Sequence, residues 1–415
     1  MPRIFIFLGI VFSGLLADVA CAAAETSPVL VGVLLPLSGS MATYGKAARL
    51  SYEMAQGEIN AQGGIHGKEL RLVFADTRSQ TQRGRQLALD FIAQQKIIMM
   101  AGGIDPEVSL ALAEVAVKHS FPLLLHSSMV DRLTVAASYD PPGKNKEPSD
   151  SEGMGFPVFR ISPAMGESMV ELENFLAQVV KPKSMAVFYE NSNFGVSAVT
   201  QLTKVATRLG IDHPHAVVFG SDQRSITHAM DLGKDRSYDV VLMVSSSGLA
   251  ERLVLDSMAM NMNPKIFVGI GRGFNHPRFM ENVGKAGHKI LTVTMWHPQL
   301  PHASDKNYPQ AYLEQTNTES QVDGAQAYAT TWVIGDVLRR AASFSRGDML
   351  KALRQTDLMT VTGPVKFSDF NDKINQNLGQ TCLTQWLDNK QWIIWPQRLA
   401  NRGYVYPIDW IRERR

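Results

Sequence analysis

The chain has 415 residues, 41 Lys and Arg against 39 Asp and Glu, a formal net charge of +2, 45% hydrophobic content and 2 cysteines. At roughly 150 residues per domain, that length predicts two or three domains with sizeable cores. The near-neutral balance, with no local block of Lys and Arg to offset it, argues against a nucleic-acid binder, and ordinary Gly and Pro usage argues against a fibre or a disordered chain.

The first two dozen residues differ from the rest. Arg3 supplies a positive start, residues 4–16 an apolar run, and Cys21-Ala22-Ala23-Ala24 a small-residue stretch fit for cleavage after Ala24, which is the pattern of a secretory signal. Lipid attachment at Cys21 is the rival outcome, disfavoured by the acidic Asp18 just before it. No later stretch reaches the ~18–20 apolar residues needed to span a bilayer, so the mature chain is expected outside the cytoplasm and not membrane-spanning. After cleavage Cys382 is the remaining thiol, and no intrachain disulfide can form.

Val29-Leu30-Val31-Gly32-Val33-Leu34-Leu35 opens the mature chain as a short, continuous apolar run, the signature of a strand buried on both faces of a parallel sheet. Helical spacing over 47–59 stops at Gly63-Gly64. Strands are then expected at 70–74, 97–101 and 122–125, with helices at 81–94 and 109–119 between them. Residues 138–153, with Pro141-Pro142-Gly143-Lys144-Asn145-Lys146, form a polar insertion that cannot bury a core. The alternation restarts with helices at 169–180, 196–209 and 249–260 and strands at 184–189, 216–219, 239–244, 266–270 and 290–295. Three helices follow, at 308–315, 324–342 and 347–355, and the tail reads as antiparallel strands at 360–367 and 381–394. Strands alternating with helices in two series predict two doubly wound α/β lobes.

Enzyme signatures fail one by one. Gly39 and Gly45-Lys46 have the wrong spacing for a phosphate loop, and Ala47 stands where a magnesium-binding hydroxyl belongs. Gly269-Ile270-Gly271-Arg272-Gly273 lacks the last glycine of a dinucleotide fingerprint, Phe274 taking its place. His213-Pro214-His215 has no Cys or paired carboxylate beside it for a metal, and Ser245-Ser246-Ser247-Gly248 is not a nucleophile elbow. No cofactor or metal is expected. What stands out is where hydroxyl residues fall: Ser38 and Ser40, Ser127 and Ser128, and Ser245 to Ser247 each follow an expected strand. In open parallel sheets ligands sit beyond those carboxyl ends, although each serine alone also reads as a helix N-cap.

Pro36-Leu37-Ser38-Gly39 with Tyr44-Gly45, then Glu58-Ile59-Asn60-Ala61-Gln62-Gly63-Gly64-Ile65-His66-Gly67, and 70–76 closely resemble the extracytoplasmic solute-binding proteins of the leucine/isoleucine/valine-binding family. Phe159-Arg160, Asn193-Phe194-Gly195 and Thr362-Gly363-Pro364-Val365-Lys366-Phe367 extend the resemblance over the mature chain. It implies the type I periplasmic-binding fold: α/β, two doubly wound parallel-sheet lobes joined by a three-segment hinge, with crossings near 159–162, 291–296 and 361–364. The expected division is a signal at 1–24, lobe 1 at 25–158 and 292–360, and lobe 2 at 159–291 and 361–415. The resemblance also implies a function: a monomer that clamps a small molecule, delivers it to the permease of an ABC transporter, and catalyses nothing. A ligand sensor using the same clamp is the alternative; a hydrolase would need an activated Ser or paired carboxylates.

Carried over residue by residue, the resemblance places Tyr44 at the first-loop aromatic, Ser127 and Ser128 at the hydroxyls that hold an amino acid's carboxylate, Phe194 at the second-lobe aromatic, and Ser246 or Ser247 near another contact. The departures are Asp105 or Pro106 at another hydroxyl position, Met129 after the serine pair, and Gly271, beside Arg272, where an acid would pair with the ligand's ammonium. A buried, unpaired ammonium costs several kcal/mol. Two ligand classes are therefore expected: an organic acid paired to Arg272, or an uncharged, partly apolar molecule against Met129 and Phe194, with Asp105 as an amine partner from the other lobe if the polarity is reversed.

Overall fold

The computed structural model describes residues 27–94, 96–139, 155–234, 236–246, 248–304 and 307–414. The signal, Cys21, most of the 138–153 insertion and Ser247 lie outside them. Fifteen strands are described: β1 Val29–Leu35, β2 Leu70–Asp76, β3 Ile97–Gly102, β4 Leu123–Leu125, β5 Val158–Arg160, β6 Met185–Glu190, β7 His215–Phe219, β8 Val240–Val244, β9 Ile266–Ile270, β10 Leu291–Thr294, β11 Asp357–Thr360, β12 Gly363–Phe370, β13 Lys373–Asn377, β14 Cys382–Leu387 and β15 Lys390–Trp395.

They form two sheets, ordered β11-β12-β13-β5-β4-β3-β1-β2 and β15-β14-β10-β9-β8-β6-β7. In each sheet five consecutive strands, β2-β1-β3-β4-β5 and β7-β6-β8-β9-β10, are parallel throughout and share one winding order; beyond β5 come β13, paired parallel, then β12 and β11 in antiparallel pairing, and beyond β10 come β14 and β15 in antiparallel pairing. Winding runs outward in both directions from β1 and from β6, so each sheet has a switch point where successive strand-end loops diverge and leave a crevice. The apolar runs have the expected cause: every residue of β8 and β9 is buried, as is all of β1 except Leu30. One core lies around the second sheet, two clad the faces of the first, and a smaller one joins Trp296 to the helices Tyr308–Thr316 and Val322–Arg340.

The helix Gln223–Lys234, absent from the sequence expectation, covers the second sheet with Ile226, Ala229 and Met230. The third crossing also falls later than 361–364. β12 pairs with β11 and β13, and β13 joins β5 with Gln376 opposite Arg160, so the chain leaves the first sheet only between Asn377 and Cys382. The physical reason is a polar strand. The amides of Asn375, Gln376 and Asn377 donate to the carbonyls of Phe156, Ser162 and Ile161 at 2.7, 2.7 and 2.8 Å, stitching the third crossing to the first.

Candidate functional site

The loops after β3 and β4 build one wall. Asp105 ends the β3 loop with its side chain turned back on the chain: one carboxylate oxygen accepts from the amides of Glu107 and Val108 at 3.1 and 3.3 Å and caps the helix Pro106–Lys118. Burial raises its pKa, and those two amides oppose the rise. After β4, Ser127 Oγ lies 2.5 Å from Nδ1 of the fully buried His126. Burial, helped by Arg272, pushes that imidazole down to about 3, so it is neutral. Ser128 is also buried, and its hydroxyl has no hydrogen-bond partner among the described residues. Met129 leaves this wall and packs against the core of the opposite sheet.

The other wall comes from the ends of β6, β8 and β9. Ser192 Oγ caps the helix Asn193–Arg208 by accepting from the Gly195 amide at 3.1 Å, which sets Phe194 into the core with 2% exposure. Glu190 gathers the loops: its carboxylate accepts from Ser192 Oγ at 2.7 Å, Ser245 Oγ at 3.0 Å and the Ser246 amide at 2.9 Å. Gly271 then turns with φ 128°, and a Cβ there would sit 1.7 Å from the Ser245 carbonyl oxygen. The residue that follows is therefore launched outward, toward the first wall.

That residue is Arg272, and it crosses the cleft. Its Nε donates to both carboxylate oxygens of Asp323 at 2.9 and 3.0 Å, and its Nη2 to the carbonyls of Ile104 and Ser127 at 3.0 and 2.9 Å. The pair is withdrawn from solvent, with side chains 11% and 1% exposed. Asp323, in the first turn of the helix Val322–Arg340, escaped the sequence reading. An acid in a helix buried on nearly every face was the available signal, because such a charge needs a partner. Glu107 reaches the opposite helix, accepting from the Asn193 amide at 3.2 Å and from its side-chain nitrogen. Tyr44 meets His276 edge-on at 6.3 Å. Burial, with Asp323 adding and Arg272 opposing, lifts the Tyr44 hydroxyl to about 12.

Between the walls lies a cavity of about 40 Å³, lined by Ser127, Met129 and Val322 on one side and by Phe194, Ile270 to Arg272, Asn275 and Val293 to Met295 on the other. A profile described as "Periplasmic binding protein" matches residues 28–389. The chain belongs to this family. Leu/Ile/Val-binding protein homolog 7 of Brucella melitensis biotype 1 is 22% identical over 405 residues, 92% of this chain and 95% of the relative. Among solved structures, a branched-chain amino acid substrate-binding protein from Streptococcus pneumoniae in complex with isoleucine superposes with a TM-score of 0.73 at 20% identity, over 92% of this chain and all of that one. A solute-binding protein from R. palustris in complex with benzoate gives 0.70 at 20%, over 88% and 94%. The family and the two-lobed fold expected from the sequence are thus borne out.

In this periplasmic binding protein, Ser127, Met129, Phe194 and Arg272 converge on one cavity. Tyr44, Asp105, Ser128 and Ser246 do not line it. Asp105 faces its own helix, and the Ser246 amide is directed at Glu190. Arg272, a partner for an organic acid in one of the two expected ligand classes, is already paired with Asp323. Among the described residues, no group of three or more His, Cys, Asp or Glu could hold a metal ion, and no helix is long and apolar enough to cross a membrane.

Proposed function

We propose that the protein captures one small molecule, amino-acid-like, organic acid or amide, between its lobes and delivers it to the permease of an ABC transporter, as a monomer secreted to the periplasm by its leader. The observation that carries this reading is a cavity at the facing strand ends whose lining comes from both sheets, the place where open α/β sheets bind ligands. The neighbours solved with isoleucine and with benzoate bracket the ligand classes. Ser127, Met129, Phe194 and Arg272 are the proposed contacts. The lobes as we divide them are 25–160 with 297–377, and 161–296 with 378–415, joined by three crossings that act as the hinge.

A hydrolase reading gains no support from the serine beside His126. That imidazole is buried and neutral, with its second ring nitrogen unpartnered among the described residues, whereas a catalytic base is oriented by a third group and titrates near working pH.

The test is thermal unfolding of the mature chain against amino acids, carboxylates, amides and neutral apolar compounds. A ligand at a hundred times its Kd adds ~2.7 kcal/mol to stability. We expect a saturable rise with one chemical class, lost in Phe194→Ala. A profile unmoved by every class would contradict the proposal.

A further inference from the structure

The polar inventory of the cavity identifies the charge of its ligand. Among the described residues four polar side chains line it: Ser127, Arg272, Asn275 and Thr294. The Asn275 amide donates to the carbonyls of Gly271 and Val293, and its oxygen accepts from Thr292 Oγ1 and Gln391 Nε2. Thr294 Oγ1 donates to the Trp296 carbonyl and accepts from the Trp296 amide. Ser127 Oγ is shared with His126. Arg272 spends its Nε proton on Asp323 and both Nη2 protons on the carbonyls of Ile104 and Ser127, which leaves Nη1 as the nitrogen with no acceptor among the described residues. The rest of the lining is Gly271 and apolar side chains, Met129, Phe194, Ile270, Val293, Met295 and Val322.

We infer that Asp323 sets specificity by neutralising Arg272, making the cleft a receptor for a compact, uncharged molecule with an apolar body and a carbonyl oxygen, of amide type. The inference rests on the solute-receptor reading above. A carboxylate entering beside Arg272 would meet the Asp323 carboxylate on the same guanidinium, two like charges competing for one counter-ion away from water. An amine finds no partner: both oxygens of Asp323 face Arg272, Asp105 is directed at its own helix, and Glu107 is held by Asn193. A zwitterion suffers both penalties. A neutral carbonyl needs only the donor that Nη1 still offers, at no cost in net buried charge. The space is small, about 40 Å³, so the ligand is compact.

The test uses four matched probes, isobutyramide, isobutyrate, isobutylamine and valine, titrated by calorimetry and thermal shift into the refolded, ligand-stripped mature chain and into Asp323→Asn. We expect isobutyramide to bind the wild type at least tenfold more tightly than any charged probe. In Asp323→Asn, where the guanidinium charge is released, isobutyrate should gain at least tenfold while isobutyramide changes less than threefold. If Asp323→Asn does not fold, the ranking of the four probes on the wild type still decides the proposal. Isobutyrate or valine binding the wild type as tightly as isobutyramide would overturn the inference, and so would an unchanged ranking in Asp323→Asn. Silence from all four probes in every protein contradicts the solute-receptor reading itself, a result distinct from binding with the wrong charge preference.

Discussion

Replacing Gly271 with Asp, which restores a carboxylate where the amino-acid binders are expected to carry one, should destroy the site instead of converting it. The residue sits at φ 128° with its missing Cβ 1.7 Å from the carbonyl oxygen of Ser245. That oxygen belongs to a backbone fixed on both sides: the Ser245 amide donates to the Ile270 carbonyl at 3.0 Å, and the Ser245 hydroxyl to Glu190 at 3.0 Å. The loop can yield only by breaking the junction between β8 and β9. Backbone strain of ~1–3 kcal/mol and overpacking of ~1–3 kcal/mol together predict a loss of about 3 kcal/mol or more. Because Arg272 is launched by the same turn, ligand binding should fall with stability. Gly271→Ala separates the clash from the added charge and should lose nearly as much. A Gly271→Ala protein with the wild-type unfolding midpoint would show that the turn is not fixed as described.

Arg160→Met is expected to be the second most damaging change. Arg160 is fully buried, yet among the described residues no carboxylate lies within ion-pair distance. It is held by oxygens alone: Nε donates to Gln376 Oε1 at 2.6 Å, Nη1 to the carbonyls of Val130 and Ser128 at 2.5 and 3.4 Å, and Nη2 to Thr134 Oγ1 at 3.2 Å. Burial pulls its pKa down to about 10, with Asp131 and Glu167 pulling the other way, so the guanidinium stays charged at neutral pH. One side chain thus ties the first crossing to the third and fixes the loop that carries Ser127 to Met129. Removing it strands buried acceptors at ~1–3 kcal/mol each, and we expect a loss of about 3 kcal/mol or more. Arg160→Lys should not rescue, because an ammonium cannot present the guanidinium's fork of donors to four separated oxygens. The check is the denaturant midpoint of both variants, and a midpoint unmoved by Arg160→Met would refute this view of the hinge.

The sheets were legible in the sequence because their strands are apolar on both faces. The runs 29–35, 239–244 and 266–270 have few other homes in a globular chain, and of the described strand-end serines Ser127 lines the cavity. Polarity hid β13. Lys373-Ile374-Asn375-Gln376-Asn377 reads as a turn until its amides are seen serving carbonyls of another crossing, a non-local demand that no periodicity reports. The helix Gln223–Lys234 was missed because its apolar stripe is narrow among charged and polar residues. At the site, alignment brought Ser127, Met129, Phe194 and Arg272 to the cavity, but the state of Arg272 depends on Asp323, 51 residues further along. Asp105 misled in the opposite direction: an acid before a proline at a strand end reads equally as ligand contact and as cap, and its two helix amides decide for the cap.

The central claim is that one small molecule is held between the two sheets. Its most direct test is a crystal structure of the chain purified from cells without unfolding, so that any ligand taken up is retained. The account predicts density for a compact molecule touching Met129 and Ser127 from one lobe and Phe194 and Arg272 from the other, with the Arg272–Asp323 pair intact. A ligand lodged outside this cleft, or one whose carboxylate has displaced Asp323 from Arg272, would contradict it.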